Sequence, residues 1–231
     1  MIKLQVLGLR KFINVKNDKK MNTVKNVLFA ILAIICFATT ASAQQLTSRQ
    51  KEALGRRAAE KVGQMNDYIS QMAKKKARGV TKVKDIDNKS FLKNAALDLF
   101  IGRGYDYQEN GESKKGVYMQ TTSLRHPKPV STLIRDYFQR VIDLRYTDVD
   151  IQSTDIAAIK VSDLNRIDDN TWVCTCEYDQ AFVGYRDGRP VYKDITTKRI
   201  KCYIKTEQTA KGIDFIVLLG DVDAIETKPY R

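Results

Sequence analysis

Apolar residues recur along the first third of the chain at helical spacing. Leu54, Ala58, Val62, Met65, Ile69 and Met72 follow one another in steps of three and four, which predicts a helix over 47–76 with one buried stripe. Thr47 and Gln50 stand where a capping box would close its start. A second helix is predicted from a cap at Asp87 or Asn88 to Ile101, stopped by Gly102 and Gly104. Residues 105–115 read as loop and 117–124 as a strand broken by Pro127 and Pro129. Ile134, Tyr137, Phe138, Val141 and Leu144 predict a third helix over 130–145.

From there the period changes from 3.6 to 2. Strands are predicted over 147–164, with a break near Thr154, then 171–185, 191–206 and 213–225. Arg186-Asp187-Gly188-Arg189 is a hairpin signal. Even-numbered residues carry the apolar side of the two strands it joins: Trp172, Cys174 and Cys176 on one, Ile200, Cys202 and Ile204 on the other. A three-residue loop would place Cys174 opposite Cys202 and Trp172 opposite Ile204, and a disulfide between Cys174 and Cys202 is expected after some local adjustment. Buried reduced thiols are the alternative.

The order ααβα followed by four or more strands calls for an α+β domain with helices on one face of a curved antiparallel sheet. It resembles the cystatin-like superfold of nuclear transport factor 2-like proteins. That likeness implies a cone of three N-terminal helices packed on a curved antiparallel sheet of four to six strands. A tighter resemblance, to secreted uncharacterised proteins of Bacteroidetes, is carried by residues 95–102, 129–137 and above all Phe182-Val183-Gly184-Tyr185-Arg186-Asp187-Gly188-Arg189 through Thr196. It implies a single domain behind a signal peptide and brings no activity with it.

Composition adds a compartment. Residues 27–38 are uncharged and apolar, follow Lys19, Lys20 and Lys25, and precede Ala41-Ser42-Ala43. This is the order of a secretory signal peptide cut between Ala43 and Gln44, which makes the expected location periplasmic or secreted without stable membrane insertion after cleavage. The basic region before the apolar run is short only if Met21 is the true start, so residues 1–43 are read as leader and 44–231 as one domain. Of 40 Lys and Arg against 27 Asp and Glu, seven bases and one acid fall in 1–43. The remaining 33 bases and 26 acids leave a net +7, too mixed to indicate nucleic acid.

Cys174, Cys176 and Cys202, with one histidine, His126, make no zinc motif, and no Gly-rich phosphate loop, nucleophile elbow or framed carboxylate pair is present. Neither a metal nor a cofactor is expected. Tyr118, Tyr137, Trp172 and Tyr178 are the candidate pocket residues, phenolic and aromatic without an evident base. The competing reading is that these aromatics simply fill the core. The function expected is therefore a binding or interaction module without catalytic activity, for an envelope protein or a small apolar ligand. The alternatives are a pocket enzyme of the isomerase or dehydratase kind and an envelope-machine subunit anchored through 27–43. Phe215, Val217 and Leu219 are expected on the outer face of the sheet, where a homodimer would cover them. Cover by the N-terminal region or by residues 105–115 of the same chain is the competing account.

Overall fold

The capping box forms at the head of the first helix: the Gln50 amide donates to Thr47 Oγ1 at 3.2 Å, and the Thr47 amide donates to Gln50 Oε1 at 2.9 Å. Helix α1 (Ser48–Ala73) follows and buries the predicted stripe from Leu54 to Met72. The computed structural model describes residues 45–75, 82–109, 111–153, 155–210 and 212–230, and the described residues from Leu46 onward fold as one unit. The leader, its cleavage site at Ala43 and Gln44, and the start at Met21 lie outside the described residues.

Helix α2 (Lys82–Leu97) begins ahead of the predicted cap and leaves Phe91 exposed while burying Leu92, Ala96 and Leu97. A ribbon of β1 (Tyr107–Glu109) and β2 (Glu112–Lys114) occupies the predicted loop. The hairpin of β3 (Tyr118–Ser123) and β4 (His126–Leu133) leads into helix α3 (Ile134–Ile142). The chain then lays three short segments, β5 (Asp148–Ser153), β6 (Lys160–Val161) and β7 (Asn165–Arg166), along β8 (Thr171–Arg186). A long meander of β8, β9 (Arg189–Thr209) and β10 (Gly212–Pro229) completes it. The large sheet runs β4-β3-β10-β9-β8-β5, with β6 and β7 also on β8.

This corrects the expected architecture of three N-terminal helices on a sheet of four to six strands. The protein is mostly β: eight strands form the large sheet, with one long N-terminal helix and two shorter ones. Two local causes account for the difference. Pro127 and Pro129 lie in β4, at the sheet's edge, where a missing N–H costs no ladder bond, so the prolines extend the sheet and take 130–133 out of the third helix. On the other edge, a 3-10 turn at Ile156–Ala158, capped by the Asp155 side chain, interrupts the strand close to the break expected near Thr154, and the pieces add separate short strands to the sheet.

The register of β8 on β9 is reached by an unexpected route. The turn has two residues, with Asp187 at φ 51° and Gly188 at φ 76°, and a bulge beside Tyr185 restores the offset, so Cys174 faces Cys202 and Trp172 faces Ile204.

On β10 the parity is opposite to that expected. Val217 pairs with Ile204 and Leu219 with Cys202, so both join the core, at 4% and 0% exposure. Phe215 shares their face and meets Trp172 edge-on at 6.1 Å. These three residues therefore cannot form the dimer patch. On the outer face, the β1–β2 ribbon of the same chain reaches over Lys201 and Tyr203, whose Nζ and hydroxyl both donate to Glu109 Oε1, at 2.5 and 2.6 Å. Gly220 makes room: a Cβ there would stand 2.6 Å from the Tyr203 ring.

A pair of adjacent substitutions tests this parity. Val217→Lys buries an unpaired ammonium and should destabilise the fold by more than about 3 kcal/mol, whereas Ile216→Lys, on the outer face, should change stability by less than about 1 kcal/mol in urea unfolding. Equal effects would mean the parity is wrong.

Candidate functional site

Inward-facing residues of β9 change character along the strand. Ile200, Cys202 and Ile204 pack in the core, and the same face continues toward the hairpin as Lys198, Thr196 and Asp194, at 4%, 6% and 5% exposure. These three polar residues line a cavity of about 450 Å³. Gln180 and Phe182 of β8 lie beside them, Thr121, Thr122 and Thr132 come from the β3–β4 hairpin, and Tyr137, Arg140 and Val141 of α3 form the opposite wall. Tyr146 leans over the mouth. It packs flat on the backbone of Gly184, where a Cβ would meet the ring at 2.5 Å, and contacts Phe182 edge-on at 5.6 Å.

Asp194 is held by Tyr192. The Tyr192 hydroxyl donates a short hydrogen bond to Asp194 Oδ2 and accepts one from the Leu124 amide at 2.8 Å. Burial pushes the Asp194 carboxyl above the usual carboxylate range, against the opposing pull of the Tyr192 hydrogen bond and the Lys198 charge. Lys198 has no carboxylate within 4.0 Å among the described residues. Its Nζ lies 5.5 Å from the centre of the Tyr137 ring and 3.7 Å from Met119 Sδ. Burial lowers its pKa to about 8, and the charge of Asp194 works the other way. Asp194 and Lys198 stand four residues apart on one strand, about 13 Å at the backbone, so they are opposite ends of one site and not an ion pair. A buried amide pair, Gln180 Nε2 donating to Asn66 Oδ1 at 2.7 Å, ties the cavity wall to α1.

Of the four aromatic candidates, Tyr137 alone lines this cavity. Tyr118 is 38% exposed because its neighbours Val117 and Met119 take the inward positions. Trp172 and Tyr178 face inward but are packed in the core, Trp172 at the far end of β8 against Phe215. His126 is exposed and stands at the cavity's rim.

The expected disulfide is not formed: Cys174, Cys176 and Cys202 are free, buried thiols. Directly opposed cross-strand Cβ atoms lie about 4.5–5.5 Å apart, beyond the roughly 3.5–4.5 Å a disulfide takes without adjustment. Their three Sγ atoms lie within 4.8 Å of one another, the one group of three metal-type ligands so close among the described residues, and none of them lines the cavity.

No family model matches the chain, and no curated protein does. Among solved structures, the chain is similar to a protein of Novosphingobium aromaticivorans provisionally assigned as a scytalone dehydratase, at 11% identity and TM-score 0.35, over 78% of this chain and 91% of that one. It is also similar to a protein of Kribbella flavida, at 10% identity and TM-score 0.33, over 74% and 93%. At these scores neither neighbour assigns this chain a fold family or an activity.

The buried lysine has a measurable signature. An unfolded lysine titrates near 10.5, so between about pH 8 and that value the unfolded chain holds a proton that the folded chain has released, and stability rises with pH across the window. Lys198→Met should abolish that rise and stabilise the protein at pH 7 by on the order of 3 kcal/mol. Chemical denaturation of both proteins from pH 7 to 10 checks it; parallel curves would show that Lys198 is solvated in the folded state.

Proposed function

We propose that the cavity is an active site for proton transfer on a small carbonyl compound, an isomerase- or dehydratase-type reaction. The observation that carries this reading is the placing of two ionisable side chains, Asp194 and Lys198, both more than nine-tenths buried, at opposite ends of one cavity without pairing to each other. The Asp194 carboxylate takes a proton from the carbon next to the carbonyl. The C–H electrons form a C=C bond, and the carbonyl electrons move to oxygen. The Lys198 ammonium faces that developing oxyanion. Return of the proton to a different carbon gives an isomer; where the substrate carries a β-hydroxyl, the enolate electrons reform the carbonyl and expel that hydroxyl, which takes the proton from Asp194 and leaves as water. Raising the carboxyl toward neutrality makes it a better match for such a base, and Tyr192 holds its orientation. The signal-like order of residues 19–43 supports a periplasmic or secreted setting for this chemistry.

Binding without turnover is the second reading. It is favoured by the Tyr192 hydrogen bond, which occupies one Asp194 oxygen, and by the threonine hydroxyls that line the same space.

Incubating the protein with a small-molecule extract in D2O separates the two. Turnover predicts a compound that gains deuterium or loses water with the wild type, at a rate reduced about 10²- to 10⁴-fold by Asp194→Asn. Compounds retained equally by wild type and Asp194→Asn, with no mass change in any, would overturn the catalytic reading in favour of binding.

A further inference from the structure

A second hollow of about 300 Å³ adjoins the cavity, sharing Arg125, Tyr146 and Tyr192 with it. Its remaining lining is Arg145, Arg186 and Val191. Three arginines thus line one small space from three parts of the chain: the β3–β4 turn, the segment after α3, and the end of β8. Among the described residues, none of the three has a carboxylate within 4.0 Å. Arg125 lies over the Tyr192 ring, 5.8 Å from its centre, and Tyr192 in turn holds Asp194. Like charges gathered without counter-charges repel one another, and the group that relieves the repulsion is an oxyanion, which guanidinium forks bind by paired, charge-assisted hydrogen bonds. The walls between the two spaces, Tyr146 and Tyr192, are aromatic and suit an uncharged, flat body.

We infer that the ligand of this protein is an elongated anion whose carboxylate, sulfonate or phosphate group sits among Arg125, Arg145 and Arg186 while its uncharged body enters the cavity toward Asp194 and Lys198. This deepens the proposed function by naming the substrate class. It rests on the cavity being the ligand site and is independent of whether the ligand is turned over.

Two fluorescent probes of nearly the same shape test it on the full chain: anilinonaphthalene sulfonate, which carries the anion, and phenylnaphthylamine, which lacks it. The sulfonate should bind at least about tenfold more tightly. The double variant Arg145→Gln and Arg186→Gln should bring its affinity down to that of the neutral probe, whose own binding, unchanged, reports that the variant is folded. Inorganic phosphate in millimolar excess should not displace the sulfonate probe, because the anion without its body gains nothing from the cavity. Equal affinity for the two probes, a preference that survives the double variant, or displacement by phosphate alone would overturn the inference and leave the acid–base reading standing. Binding of neither probe would overturn the inference and the cavity as a ligand site together. Loss of turnover in the deuterium experiment with the sulfonate preference intact would remove only the catalytic reading.

Discussion

The inward face of β9 is the constraint on which both the core and the site depend. Ile200, Cys202 and Ile204 at one end and Lys198, Thr196 and Asp194 toward the other alternate on a single strand, in register with β8 across nearly its whole length. Because the side-chain period of a strand is two, a slip of one residue would turn all six outward at once. The apolar end therefore specifies where the polar end must point. Asp194 and Lys198 stay in a low-dielectric space because the pairings of Cys174 with Cys202 and Trp172 with Ile204 are backed by apolar burial that they do not have to provide.

Helix α1 serves the same face from the other side. Its small residues let neighbouring segments approach closely: Gly63 sits where a Cβ would come within 2.9 Å of Ile156, and Gly55 lies against Val161. The edge that β8 would otherwise expose is thus covered by β5 to β7 and pressed against α1. Farther along, Asn66 on the buried side of α1 reaches Gln180 at the cavity. One helix thereby packs against apolar partners at one end and adjoins the site through an amide pair at the other, which ties the geometry of the cavity to the packing of the core.

Much of this was legible in the sequence where a strong period met a local signal. The capping box, the stripe of α1 and the facing of Cys174 and Cys202 all came from such coincidences. What was not legible had identifiable causes. Prolines at 127 and 129 read as breakers because the edge position that tolerates them is a property of the whole sheet. The parity of β10 was undecidable from Phe215-Ile216-Val217-Leu218-Leu219, apolar on both faces, and only pairing with β9 settles which set turns inward. Lys198 went unrecognised, and Asp194 read as exposed alternation of the hairpin, for a different reason. The even-numbered alternation that placed Cys202 and Ile204 inside extends without interruption back to 198, 196 and 194, but charged residues at those positions resemble the solvated end of a hairpin. The signal was the parity itself, carried six residues farther than the apolar pattern that revealed it.

The cavity also accounts for what the fold's own logic does not require. A lysine at 198 could be replaced by an apolar chain of similar length without loss of any ion pair, since it makes none with the described residues. Asp194, likewise, has its carboxyl raised by burial, so the folded state holds its charged form at a disadvantage. Two such residues on one strand lower stability in opposite protonation states, and no single pH relieves both. Local departures of this kind, set within an otherwise consistent core, are where function is expected to reside. The arginines at the mouth extend the same reasoning outward: a protein concerned only with stability would intersperse acids among them, whereas an open, cationic entrance leading to a buried base and a buried ammonium has the polarity of a path for an anion with an uncharged, reactive end.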